Sequence, residues 1–300
     1  MYGVSYMIKL VLITGFLGTG KTTLLKSIIE EYKDSRIGVI VNEFGEINID
    51  SKLIKKEGLR IMELSNGSIF CSCLKEDFVK GLIEMSKMDI QYLFIEASGL
   101  ADPSNMAVIL DSISNELYNK YDYRGSVCVL DAENFLKLYE ILPSLHNQIE
   151  YSSAIIINKS DLVDSKMVAE IITKLNTINY EIDIHITSFC KVDIKRIING
   201  LSKACIQSKN STNTPETRPK SFVISGELIL PFDNLAEFLN VVSKSTYRIK
   251  GFAETNQGNV VVSSVGDHVN IEKWNYPIKG TQIVLISSIG IRLISILTKE

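Results

Sequence analysis

The sequence predicts an α/β fold, a doubly wound and mostly parallel sheet, followed by a second, smaller α+β domain. Three observations carry this reading. Six short runs rich in Val and Ile alternate with stretches whose apolar residues recur at three- and four-residue spacing. That is the pattern of strands buried on both faces and of the helices that cover them. The first run leads directly into Gly15-Phe16-Leu17-Gly18-Thr19-Gly20-Lys21-Thr22, a glycine-rich loop of the kind that joins a buried strand to a helix and wraps a phosphate. The segment 207–220 then carries two prolines and no aliphatic or aromatic residue, which marks an exposed linker.

In chain order, the run 10–14 reads as the first strand and 21–31 as the helix opened by the glycine-rich loop. Strands follow at 37–42, 92–96, 126–131, 154–158 and 182–187, each nearly continuous in hydrophobicity. Between them, Met106, Ile109, Leu110, Ile113 and Leu117 share one face of a helical stretch, a stripe that belongs to a core. Beyond the linker the order reads strand 221–224, helix 232–243, strand 247–254, hairpin strands 259–264 and 269–274, strand 282–287 and helix 292–298. The expected organisation is therefore a nucleotide-binding domain at 1–206, a linker at 207–220 and an α+β domain at 221–300.

Composition narrows the function classes. Three hundred residues with 45% apolar content can build two cores. A net charge of −3 supplies no basic field, so nucleic acid is not expected as a partner. The apolar stretch 283–297 is broken by Ser287, Ser288, Gly290 and Arg292, so no membrane partner is expected either. The first apolar run is already the strand before the glycine-rich loop, which leaves no secretory leader pattern and points to the cytoplasm. Of five cysteines only Cys71 and Cys73 lie close together, unlike a disulfide framework.

The chemistry resides in loops after strands. Gly15, Gly18 and Gly20 let the backbone approach phosphates, so that N–H groups of the loop, of Thr19 and of Thr23 at the helix start face the anion. Lys21 is the charge for the β- and γ-phosphates, expected at a solvent-facing position, and the Thr22 hydroxyl is suited to Mg²⁺. Asn158-Lys159-Ser160-Asp161 ends the strand 154–158. The Asp161 carboxylate can accept from guanine N1–H and the exocyclic amine, with Asn158 and Lys159 bracing the loop and covering the ring. The bland use of Asp161 is a helix cap. Thr187-Ser188-Phe189 could add a backbone contact to the base.

Glu96-Ala97-Ser98-Gly99 follows the strand 92–96, bringing a carboxylate for the Mg²⁺ side and a glycine N–H for the γ-phosphate. Glu43 and Glu46 follow the strand 37–42 as candidate catalytic or metal-ligating carboxylates, or as a solvated loop. Cys71 and Cys73 flank one residue and suggest a soft-metal pair, or a redox or structural pair. Zn²⁺ takes four ligands, so the thiolates would need Glu43 or Glu46, water, or the same pair from a second protomer, making a homodimer one outcome. Cys128 in a strand and Cys205 on a helix read as small buried hydrophobes.

Together these motifs resemble the CobW-type GTPases, relatives of the urease and hydrogenase accessory GTPases within the SIMIBI class. The resemblance rests on residues 15–23, Val41-Asn42-Glu43-Phe44-Gly45-Glu46, Glu63-Leu64-Ser65-Asn66-Gly67, Glu96-Ala97-Ser98-Gly99-Leu100-Ala101-Asp102-Pro103, Val129-Leu130-Asp131-Ala132 and Asn158-Lys159-Ser160-Asp161. Tyr247-Arg248-Ile249-Lys250-Gly251-Phe252 looks like that family's carboxy-terminal domain. The resemblance implies slow GTP hydrolysis coupled to delivery of a metal of the zinc or cobalt class to a client metalloenzyme. Its alternative is a GTP-dependent chaperone for a corrinoid or other cofactor enzyme that carries no metal itself. The chain departs from the family's C-x-C-C after Asn-Gly, with Ser68 and Phe70 ahead of Cys71 and a displaced Cys73. A third reading, a P-loop kinase, lacks an evident acceptor pocket and base, and the guanine signature argues against ATP.

Overall fold

The computed structural model describes residues 7–41, 59–63, 75–99, 101, 103–180, 182–201, 220–227, 229–265, 267–275, 278 and 280–298. Glu43, Glu46, Cys71, Cys73, Cys205 and the linker up to residue 219 lie outside the described residues. The chain divides into two compact units, Met1–Pro215 and Glu216–Glu300.

The first unit holds a seven-stranded sheet in the order β3-β2-β4-β1-β5-β6-β7, with every neighbouring pair parallel. Its strands are β1 Ile8–Thr14, β2 Ile37–Val41, β3 Leu59–Glu63, β4 Tyr92–Glu96, β5 Tyr121–Asp131, β6 Ala154–Asn158 and β7 Asp183–Ile186. The helices are α1 Lys21–Glu31, α2 Lys75–Ser86, α3 Met106–Ser112, α4 Phe135–Ile141, α5 Pro143–Glu150, α6 Ser165–Ile178 and α7 Ile194–Gly200. Alternation along the strands separates two cores. Val11 and Ile13 of β1 and Phe94 of β4 pack with Leu24, Leu25 and Ile28 of α1 and with Ile194 and Ile197 of α7. Leu10 and Leu12 of β1 and Leu93 and Ile95 of β4 pack with Phe78 and Leu82 of α2 and Met106 of α3. Because successive side chains point to opposite faces, a strand covered on both sides must be apolar throughout.

Phe94 is fully buried and meets Tyr32 and Tyr92 at ring-centroid distances of 5.4 and 5.9 Å. Phe94→Ala is expected to cost about 3–5 kcal/mol, the range for emptying a large aromatic site. Phe189→Ala, at a side chain 69% exposed, should change stability by about 0.5 kcal/mol or less. Urea denaturation of the two variants measures the contrast, and equal losses would contradict the packing.

In the first unit, three differences from the sequence reading stand out. The strand β3 was not expected, because Arg60 is exposed and Ile61 and Met62 are only partly covered. It is the edge strand of the sheet, and an edge does not demand a continuous apolar run. β5 starts five residues before the expected 126. Its early part, Tyr121-Asp122-Tyr123-Arg124, is polar, and the register against β1 shifts at Leu10/Val11 beside Gly125. The helix expected over Met106 to Leu117 ends at Ser112, whose hydroxyl turns back onto the Ile109 carbonyl at 2.7 Å. Ile113 and Leu117 still reach the same core from the turn that follows.

The second unit is an antiparallel sheet in the order β11-β10-β9-β12-β8, with β8 Ser221–Gly226, β9 Thr246–Thr255, β10 Gly258–Val265, β11 His268–Lys273 and β12 Thr281–Ser287. Leu235, Leu239 and Val242 of α8, Phe232–Ser243, cover Ile249, Ala253, Val260, Val262, Ile283 and Leu285 on one sheet face. The terminal helix expected over 292–298 is a 3-10 turn, Gly290–Leu293, followed by the short α9, Ile294–Leu297. Among the described residues no helix is long and apolar enough to cross a membrane.

Candidate functional site

The strand order sets the site. β1 lies between β4 and β5, and the register aligns Ile13 with Glu96 and, two strands along, Asp131 with Asn158. The carboxyl ends of β4, β1, β5 and β6 therefore open on one edge, where ligands bind in open α/β sheets. The loop from β1 to α1 carries Gly15, Gly18 and Gly20 at φ of 129°, 75° and 112°. Gly15 tolerates a side chain least, since a Cβ there would stand 2.1 Å from the Val129 carbonyl oxygen, and Gly20 is closed as well. A Cβ on Gly20 would stand 2.5 Å from Asn158 Nδ2, on a left-handed backbone that L side chains avoid. Gly20 is also the N-cap of α1 and contributes no side-chain bond, so the first N–H groups of an eleven-residue helix face the loop interior as an anion site.

Side chains close the loop on itself. Thr19 Oγ1 donates to the Phe16 carbonyl at 3.0 Å and Lys21 Nζ donates to the same oxygen at 2.9 Å. Lys21 is only 3% exposed, which corrects the expected solvent-facing position. The ammonium is folded into the concave side of the loop, where a phosphate's oxygens would compete for it. Thr22 Oγ1 donates to Glu96 Oε1 at 2.8 Å, and Glu96 is 1% exposed at the end of β4. A hydroxyl and a carboxylate in contact beside an anion site are hard oxygen donors that fit Mg²⁺, which needs few protein ligands when phosphates complete its shell. Among the described residues no three His, Cys, Asp or Glu side chains gather as a metal site.

The residues of the Asn158 to Asp161 loop form one hydrogen-bonded unit with the glycine-rich loop. Asn158, 3% exposed, donates from Nδ2 to the Thr19 carbonyl at 2.8 Å and accepts at Oδ1 from the Cys190 N–H at 2.9 Å. Lys159 adopts φ 59° and its Nζ pairs with Asp131 Oδ2 at 2.7 Å. Asp131 also accepts from the Glu133 N–H at 3.0 Å, which fixes the carboxylate. Asp161 is exposed at the same loop, and its N–H donates to Ser188 Oγ at 3.2 Å. Its carboxylate is thus presented outward while its backbone is tied down, as reading a base edge requires. The Asn158 to Asp161 loop and the 187–190 loop are joined again by the Ser160 N–H on the Thr187 carbonyl at 3.1 Å.

Two contributors were missed by the sequence reading. Cys190 is 1% exposed at φ 53°, and its Sγ donates to the Gly20 carbonyl at 3.4 Å. Burial pushes its thiol up to about 12, so it serves here as an apolar wedge and weak donor rather than a nucleophile. A single cysteine in a loop carries no spacing signal. In the sequence Asp131 stands out only as part of a family motif, and its hold on Lys159 follows from β5 and β6 lying side by side. Cys128, read as a buried hydrophobe, is fully buried in β5, and burial pushes its thiol up to about 12 as well.

Residues 9–185 match the family described as CobW/HypB/UreG, nucleotide-binding domain. The zinc-regulated GTPase metalloprotein activator 1 of Dictyostelium discoideum is 29% identical over 92% of this chain and 66% of its own length. The zinc chaperone YjiA of Escherichia coli is 35% identical over 56% of this chain and 55% of its own length. The chain thus spans about half to two thirds of the length of these relatives. The crystal structure of the Zn(II)-bound YjiA GTPase from E. coli shares the fold, with a TM-score of 0.51 at 19% identity over 98% of this chain and 99% of that one.

Proposed function

This chain belongs to the CobW/HypB/UreG nucleotide-binding family, and from that premise we propose that it is a GTP-hydrolysing metallochaperone. Slow hydrolysis of GTP to GDP and phosphate governs the delivery of a zinc- or cobalt-class ion, its cargo, to a client protein in the cytoplasm. The observation that carries the reading is the closed unit Lys21, Thr22–Glu96 and Asn158–Thr19 at one sheet edge, with Asp161 exposed beside it. Relatives named as zinc chaperones supply the cargo class.

The residues divide the work. Lys21 leaves the Phe16 carbonyl for the β/γ-phosphate oxygens, and the N–H groups of the loop share the negative charge that develops as water adds to the γ-phosphorus and its bond to the bridging oxygen breaks. Thr22 and Glu96 would hold Mg²⁺, which would supply positive charge to offset that of the phosphates. Gly99, on the loop after Glu96, offers an N–H for the γ-phosphate, and Glu43 is the carboxylate assigned to orient the water. Residues 1–206 carry this chemistry, 207–220 connect, and 221–300 address the client.

The cargo is assigned to Cys71 and Cys73 with Glu43 and Glu46. By linkage, GTP must then tighten the metal by the factor with which the metal tightens GTP, typically about 5–150-fold. Titration of reduced protein with Co²⁺ reads this directly, because thiolate ligation gives a charge-transfer band. The band is expected in wild type, stronger in affinity with GTP, and absent in Cys71→Ser, Cys73→Ser. The spacing Ser68-Ile69-Phe70-Cys71-Ser72-Cys73 favours a second reading, the GTP-dependent chaperone of a cofactor enzyme that carries no metal. Equal Co²⁺ affinity in wild type and double variant would select it.

A further inference from the structure

Gln148 of α5 is fully buried. Its Nε2 donates to two carbonyls of the loop that follows β4, Ala101 O at 2.8 Å and Gly99 O at 3.3 Å. Its Oε1 has no hydrogen-bond partner among the described residues. A buried amide with half of its capacity unfilled disfavours folding relative to an apolar side chain, so its presence calls for an account other than stability.

The loop it holds is wedged from the other side. The Ala97 N–H donates to the Ile13 carbonyl at 3.0 Å, at the end of β1, and the Ala101 N–H donates back to the Ser98 carbonyl at 2.9 Å. Between them, Gly99 lies so close to the phosphate loop that a Cβ would stand 2.6 Å from the Leu17 nitrogen. Gly99 is therefore held at its Cα by Leu17 and at its carbonyl by Gln148. Its N–H is the group left to respond to a ligand in the phosphate loop. The same short segment starts at Glu96, which contacts Thr22, so a shift of the loop is felt on the Mg²⁺ side as well.

Resting on the GTPase reading above, we propose that Gln148 is the positioning residue that sets discrimination between GTP and GDP. It clamps the Gly99 and Ala101 carbonyls onto α5, so that the Gly99 N–H meets a γ-phosphate and finds nothing when only GDP is bound. A GDP complex does not use this contact. Loss of the clamp consequently weakens the triphosphate alone, and slows hydrolysis because the same N–H faces the transferring phosphoryl group.

The test uses the full chain with Gln148→Met, which keeps length and burial but removes both donors, and Gln148→Asn, which keeps the amide one methylene short. Affinities for GDP and for a non-hydrolysable GTP analogue are measured with Mg²⁺, alongside kcat, KM and thermal unfolding. The expected result is GDP affinity within about twofold of wild type and analogue affinity reduced about tenfold, the scale of one or two neutral hydrogen bonds, with a fall in kcat of similar size. A residue that merely supports the fold would lower the melting temperature and leave the ratio of the two affinities unchanged. That unchanged ratio, in whichever variant folds, overturns the proposal. Failure of the GTPase reading gives a different result, since wild type itself would then bind neither nucleotide.

Discussion

Lys21→Ala is expected to abolish GTP hydrolysis, lowering kcat by at least about 10²–10³-fold, the loss found when one preorganised donor to a developing anion is removed. The structure sharpens the reason. Lys21 is buried against the Phe16 carbonyl at 2.9 Å, so its charge is aimed into the loop at a site of low dielectric, where it interacts more strongly with phosphate than an exposed lysine would. GTP affinity should fall with kcat, because the same charge meets the β- and γ-phosphates in the ground state. The fold should survive, since removing the ammonium sacrifices one bond to a carbonyl but also relieves a buried charge, two terms of opposite sign. Phosphate release and circular dichroism on the purified variant check both halves. Unchanged turnover in a folded variant would remove the phosphate-loop assignment.

Asp161→Asn should convert the nucleotide preference from guanine to xanthine. The carboxylate accepts from guanine N1–H and from the exocyclic amine. Each charge-assisted bond is worth about 1.5–3 kcal/mol; the new amide oxygen keeps the N1–H only as a neutral bond and its NH₂ opposes the exocyclic amine, so GTP affinity falls by roughly 10²–10³-fold. Xanthine offers a carbonyl at C2, which accepts from the new amide, while its N1–H still donates to the amide oxygen. Stability should hardly change, because Asp161 is exposed and its structural tie is the backbone N–H on Ser188 Oγ, which the substitution keeps. Competition of GTP, XTP and ATP for a labelled nucleotide on both proteins measures the switch. Should ATP compete as well as GTP on wild type, the guanine assignment is wrong.

The same contrast separates variants at neighbouring positions. Asn158 and Asp131 are buried to 3% exposure and each satisfies groups on other loops, so their removal would disturb the scaffold along with the ligand. The Asp161 side chain stands outside that network and reports on the ligand more cleanly.

What the sequence determined by itself is what depends on residues close together in the chain. The glycine-rich loop was legible because its glycines, Lys21 and Thr22 are contiguous and lie between a buried strand and a helix, and α1, β4 and β6 were legible to the residue because their apolar patterns are unbroken. The position of Asn158-Lys159-Ser160-Asp161 at the end of β6 was legible for the same reason. Only the tertiary structure decided which groups meet across distance. Thr22 reaches Glu96 over 74 residues and Asn158 reaches Thr19 over 139, because the order β4-β1-β5-β6 brings strand ends together. Periodicity tells that a strand is buried on both faces, but parallel strands of similar composition are interchangeable in that pattern, so it is silent on which strand lies beside which. Gln148 and Cys190 escaped for this cause: on a helix and in a loop they carry no motif, and their roles exist only through the carbonyls of Ala101 and Gly20 that the fold brings to them.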